Sequence, residues 1–109
     1  MSRLQTLLEF LEQDPTDAFT RFAVASEYLK MGDSEAALSY FEGLVDDNPR
    51  YVGTYYHLGS LYVQMGRPDD AEQTYRAGIK MASELRDHHA RAELQDALMN
   101  LQGMGWDDD

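Results

Sequence analysis

Asp87-His88-His89 is the run of residues here that most invites chemistry, because imidazoles beside a carboxylate are the donors of a zinc site. Neighbouring side chains on a helix diverge by about 100°, so the two imidazoles cannot face one ion together. His57 is the one other histidine, and the chain has no cysteine. No metal is expected, and the pair reads as a solvated helix start. Asp46-Asp47 and Asp69-Asp70 raise acid–base catalysis, which requires a cleft that drives carboxyl pKa values apart. Both pairs fall at helix ends, where solvated charge accounts for them. There is no glycine-rich phosphate loop, no Ser/His/Asp grouping and no nucleophile elbow. The expectation is a protein that is not an enzyme and carries no cofactor.

Composition narrows the remaining classes. A chain of 109 residues can build one core but not two. Twenty acidic residues against nine basic ones give a net charge of −11 and disfavour nucleic acid, whose phosphates would meet a repulsive surface. Twelve of the acids are Asp, and two of the nine cations are Lys. An acidic excess of this kind suits concentrated salt, which shortens the screening length to about 3 Å at 1 M and relieves self-repulsion. Without cysteine there is no disulfide framework. The opening residues MSRLQTLLEFLEQDP place apolar side chains only at helical intervals, and no stretch approaches the roughly 18 apolar residues of a membrane span. A cytoplasmic location away from the membrane is expected.

The periodicity predicts five or six helices and no strand. Leu4, Leu7, Leu8 and Leu11 follow steps of three and four, so Arg3 to Gln13 reads as an amphipathic helix. Asp14-Pro15 and Asn48-Pro49 read as paired start signals, an N-cap followed by proline at the first helical position. These predict helices from about Pro15 to Met31 and from Pro49 to Met65, closed by Gly32 and Gly66 as left-handed terminal residues. Asp33 caps a helix over Ser34 to Asp47. Pro68 opens another, with Asp69 and Asp70 complementing its dipole. Asp87 offers a further N-cap, so a break is expected at Leu85–His88, before a last helix reaching Leu101.

The helices repeat. Tyr28 recurs as Tyr62, Met31-Gly32 as Met65-Gly66, Ala37 as Ala71 and Phe41 as Tyr75, a spacing of 34 residues that marks a helical repeat. Tyr55-x-x-Leu58-Gly59-x-x-Tyr62 followed by Ala71-x-x-x-Tyr75 resembles the tetratricopeptide (TPR) pattern. Arg21-x-x-Val24-Ala25-x-x-Tyr28, Ala37-x-x-x-Phe41 and Pro49 make a second copy in phase. The resemblance implies an all-α stack of antiparallel helix pairs over residues 1–102. Residues 1–14 form a half-repeat, 15–49 and 50–85 the two repeats, and 86–102 a capping helix, with 103–109 left as an acidic tail. Gly59, Ala25, Ala37 and Ala71 are then the small residues at close helix contacts, and Gly78 is small for the same reason. Arg21 departs from the expected aromatic, leaving that entry open or covered by the arginine stem. Ser83 stands in place of a helix-ending proline, which permits a longer helix.

What the resemblance implies for function is a scaffold that binds a protein or peptide segment on a concave face lined by the first helix of each pair. The positions implied are Phe22, Ser26, Leu29 and Lys30, then Tyr56, Ser60, Val63 and Gln64, extended by Arg91, Leu94 and Leu98. The carboxylate clamp of chaperone-binding relatives is not expected. Its places hold Phe22, Ser26, His57, Asp87 and Arg91, of which only Arg91 suits. The alternative is a self-assembling unit, a homodimer joined through Leu4, Leu8 or Leu98 at the open ends, or through the tail with Trp106.

Overall fold

Three chain reversals use one backbone device. At Gly32 (φ 82°), Gly66 (φ 73°) and Arg86 (φ 57°) the chain enters the left-handed region. The next amide then reaches back five residues: Asp33 N–H donates to the Tyr28 carbonyl at 2.9 Å, Arg67 to Tyr62 at 2.8 Å and Asp87 to Ala82 at 2.8 Å. This is the Schellman termination, which satisfies carbonyls that a helix end leaves open. Glycine adopts this φ without strain, so the sequence announces the first two reversals. Arg86 adopts it against the Cβ clash and announces nothing.

The computed structural model describes residues 2–104, which form six helices: α1 (Arg3–Gln13), α2 (Ala18–Lys30), α3 (Ser34–Asp47), α4 (Gly53–Gln64), α5 (Pro68–Glu84) and α6 (His88–Gln102). Trp106 and the acidic end of the tail lie outside the described residues. Side chains close most of the N-termini. Ser2 and Gln5 form a reciprocal capping box on α1, and Asp17, Asp33 and Asp87 accept the Thr20, Ala36 and Ala90 amides. Hydrogen bonds from the Thr20 hydroxyl and amide hold the Asp17 carboxyl below its usual range. Pro68 opens α5, and Asp69 and Asp70 sit in its first turn. None of the helices is long and apolar enough to cross a membrane.

The two proline-containing junctions differ from expectation. Asp14-Pro15 and Asn48-Pro49 stop helices rather than start them. Asp14 and Asn48 are the C-caps of α1 and α3, their amides donating to the Phe10 and Leu44 carbonyls at 3.0 and 2.8 Å. The residue before proline is pushed out of the helical region, so the preceding helix ends there. A tight turn follows in each case, with Asp17 N–H on the Asp14 carbonyl and Tyr51 N–H on the Asn48 carbonyl. α2 therefore starts at Ala18 under Asp17. α4 starts at Gly53, where Tyr51 occupies the place of Asp17 and no side chain caps the helix.

The chain divides into two units, Met1–Tyr51 and Val52–Asp109. In the first, α2 packs against both α1 and α3. Leu7, Ala23 and Val24 are buried together, with Leu4, Leu8, Leu11, Tyr28 and Tyr40 laid against them. Tyr28 and Tyr40 stack at 5.7 Å, while Phe41 and Leu44 are fully buried. Each of those two side chains contributes about 1.5–3 kcal/mol by leaving water. Glu27 bridges Arg3 of α1 and Lys30 at 3.3 and 3.2 Å. Arg21 takes the aromatic's place with its stem covered and pairs with Asp47 at 2.9 Å. Its guanidinium lies over Gly43, where a Cβ would stand only 3.0 Å away.

In the second unit α5 packs against α4 and α6, and α4 also meets α6. Glycine makes both close approaches possible. A Cβ on Gly59 would enter the Tyr75 ring, and one on Gly78 would lie 2.6 Å from the Tyr55 Cβ and 2.9 Å from Leu94 Cδ1. Without the proline, α5 runs to 17 residues against 14 for α3.

Candidate functional site

α4 and α6 each carry a row of side chains at steps of three and four, the spacing that keeps residues on one helical face. On α4 and its N-cap the row is Val52, Gly53, Tyr56, His57, Ser60 and Val63. On α6 and the turn after it the row is Ala90, Glu93, Leu94, Ala97, Asn100, Leu101 and Met104. Where the rows face each other they enclose two hollows. The first, about 290 Å³, is lined by Val52, Gly53, Tyr56, His57, Ala90, Glu93 and Leu94. The second, about 160 Å³, is lined by Tyr56, Ser60, Val63, Tyr75, Ala97, Asn100, Leu101 and Met104. Tyr56 borders both and remains 42% exposed, although it is a large aromatic.

The two hollows differ in charge. The ionisable side chains of the first are Glu93, His57 and the Tyr56 phenol. Partial burial pushes the His57 imidazole down, and the Glu93 carboxylate opposes that shift. Glu93 also meets the exposed His89 at 3.6 Å, one turn back on α6. Among the described residues that line it, the second hollow holds no carboxylate or cation. Its floor is Tyr75 and Leu101, each 4% exposed. Burial pushes the Tyr75 phenol up, and the nearby Tyr56 adds to the effect. Ser60 and Asn100 supply hydrogen-bonding groups on its rim.

The expected site residues distribute unevenly. Tyr56, Ser60 and Val63 stand together on this face, and Leu94 forms the floor of the first hollow at 1% exposure. Gln64 is exposed and Arg91 half-buried, and neither lines a hollow. Leu98 is buried at 9% in the core of its unit. In the first unit Lys30 is exposed and pairs with Glu27, and Leu29 is half-buried. Ser26 is half-buried and turns its hydroxyl back to the Phe22 carbonyl at 3.0 Å. Phe22 packs edge-on to Phe41 at 5.7 Å and against Tyr51 at 5.9 Å, so much of its ring serves its own unit. Tyr51 explains this difference from Tyr56, since the aromatic beside Phe22 has Leu85 as its counterpart one period later.

His57, Glu93, Ala97 and Asn100 were not expected here. The signal was the row itself: from Ala90 to Met104 small, polar and apolar residues alternate at helical spacing, but apolar periodicity alone does not flag such a mixed face. Asp87 is committed to the Ala90 amide at 3.0 Å and cannot present a clamp. Among the described residues no group of three His, Cys, Asp or Glu side chains is placed to hold a metal ion.

Comparison with known proteins agrees with this architecture. A TPR repeat-containing protein of Pseudomonas aeruginosa is 26% identical over 98 residues, covering 90% of this chain and 93% of that protein. The solution structure of a tetratricopeptide repeat domain protein from Salinibacter ruber superposes with a TM-score of 0.83 at 47% identity, covering 88% of this chain and 97% of that one. The TPR2B domain of yeast Sti1, in its complex with pHsp70, shares the fold with a TM-score of 0.84 at 15% identity, over 92% of this chain and 80% of that one. Residues 28–98 match the tetratricopeptide repeat family itself, and the chain belongs to that family.

Proposed function

We propose that this protein is a binding scaffold that holds an extended polypeptide segment on the α4/α6 face. In this reading α2–α3 and α4–α5 are the two repeats, α1 is a half-repeat and α6 a cap. The observation that carries it is the pair of facing rows around Tyr56, with an exposed aromatic between two hollows of side-chain size. Exposed aromatic anchors set beside pockets are typical energetic hot spots of a binding surface, and pockets for side chains give it specificity. A solved structure of the same fold, the TPR2B domain of yeast Sti1, is a complex with pHsp70, which is consistent with it. Ser26, Leu29 and Lys30 occupy the equivalent positions on α2, and Phe22 is expected to act there chiefly through packing. The protein works as an adaptor without catalysis of its own.

The test is selection of peptides from a displayed random library on the purified protein, followed by calorimetry. Tyr56→Ala and Ser60→Trp should each weaken the selected peptides at least tenfold while leaving the circular dichroism melt nearly unchanged. Selected peptides indifferent to both changes would overturn the reading.

Self-association is the second reading. Of the residues expected to mediate it, Leu98 is core and Leu4 and Leu8 are laid against Leu7 and Val24, while Trp106 lies outside the described residues. Phe10 and Phe19, 55% and 65% exposed in the first unit, are the observation that keeps it. A sedimentation experiment at rising concentration, with Phe10→Ser and Phe19→Ser, separates a dimer from an adaptor monomer.

A further inference from the structure

The contrast between the two hollows specifies the ligand more closely. This inference rests on the reading of the α4/α6 face as the binding surface. The first hollow places the Glu93 carboxylate opposite the Tyr56 ring and His57, with Leu94 beneath. That carboxylate meets the exposed His89 at 3.6 Å, a group charged only when protonated, and its charge also reaches the His57 imidazole. Arg91 lies two residues away on α6, on a different face, and is not among the lining residues. An aromatic face next to a carboxylate is suited to an ammonium or guanidinium group, which gains from the ring as well as from the charge. The described residues lining the second hollow carry no charge, and its floor of Tyr75 and Leu101 is apolar. It fits one aliphatic side chain.

The spacing follows from helix geometry. The residues that α6 and the turn after it give to the two hollows are centred about eight positions apart, which at 1.5 Å per residue is about 12 Å. An extended chain advances about 3.3 Å per residue, so about four residues span that distance. The net charge of −11 adds a long-range preference of the same sign, drawing cationic segments and repelling acidic ones. We infer that the α4/α6 face selects a polypeptide segment in extended conformation bearing a Lys or Arg on Glu93 and Tyr56, with an aliphatic side chain about four residues away in the hollow over Tyr75.

The probes are three capped nonapeptides in an Ala/Ser background, each with Leu four positions from a variable residue that is Lys, Gln or Glu. Binding is followed by amide chemical-shift titration of the full chain at 0.15 M NaCl. The Lys peptide should bind at least tenfold more tightly than the Glu peptide, with Gln between them, and shifts should centre on Tyr56, Glu93 and Ala97. Glu93→Gln should erase the Lys-over-Gln preference. Equal binding of Lys and Gln peptides, or a Lys preference that survives Glu93→Gln, overturns the assignment of the cation to this hollow but leaves the face as a peptide site. No shifts on α4 or α6 with any probe also overturns it. In that event library-selected peptides that remain sensitive to Tyr56→Ala show that only the ligand chemistry was wrong, and insensitive ones show that the face was wrong too.

Discussion

Replacing Gly59 with alanine adds one methyl group, and its cost can be worked out from the contact it would make. An ideal Cβ there would lie 2.7 Å from Cδ1 and 2.8 Å from Cζ of Tyr75, both inside any normal van der Waals separation. Tyr75 is 4% exposed and hemmed in by its neighbours except where it floors the second hollow. Either its ring shifts toward that hollow or α4 and α5 move apart, and overpacking of this kind costs about 1–3 kcal/mol. Three ring atoms are involved, which argues for the upper end. Against this stands the gain from helix propensity, about 1 kcal/mol for Gly to Ala. The expected net loss is about 2 kcal/mol, a fall in melting temperature of about 10 °C for a domain of this size. Gly53 is the internal control. It is helical and exposed, and a Cβ there meets nothing within 4 Å. Gly53→Ala should be neutral or gain up to about 1 kcal/mol. Urea and thermal unfolding by circular dichroism measure both. Equal stability of the two variants would refute the claim that the α4–α5 approach is set by glycine against Tyr75.

Three further outcomes are expected. Arg86→Gly should stabilise by about 0.5–1 kcal/mol, because it removes left-handed strain at the end of α5 that exceeds the entropic cost of glycine; a less stable variant in urea would count against this. The partial desolvation of His57 pushes it below its ordinary value of 6.5, so the unfolded chain takes up a proton first as the pH falls. Its contribution is complete above that value and should shrink as the pH drops through 6.5 toward the folded pKa, with His57→Gln flattening this part of the stability profile. Finally, the acidic excess predicts that the melting midpoint climbs with NaCl and levels off near molar concentration, where screening is complete. A midpoint independent of salt would remove self-repulsion as a factor.

How much of this was legible follows from which residues have a local cause. Asp33, Asp87, Pro68, Gly32 and Gly66 act through their own backbone or the next turn, and α3, α5 and the break before α6 lie where those residues put them. Gly59 and Gly78 were readable as close contacts because the repeat gave them a place in a helix pair. Asp14-Pro15 and Asn48-Pro49 misled because the same dipeptide can end one helix or open the next. Only the turns closing on Asp17 and Tyr51 decide between those roles. The Arg21–Asp47 pair over Gly43 joins α2 to the end of α3, and no sequence periodicity connects those three positions. The candidate site was half legible for the same reason. The first-helix positions Tyr56, Ser60 and Val63 follow from repeat phase, whereas Glu93, Ala97 and Asn100 depend on how the last helix is rotated against α4. Phe22 and Tyr56 are equivalent by phase but not by surroundings, because Tyr51 packs on one of them.

The most direct measurement is of intermolecular nuclear Overhauser contacts between a bound, library-selected peptide and the methyl and ring protons of the isotope-labelled protein. The account predicts contacts from the peptide to the Tyr56 ring and to the Ala90 and Ala97 methyls, which face the two hollows. Contacts confined to the Ala77 methyl on the exposed side of α5, or to Phe10 and Phe19 of the first unit, would contradict it.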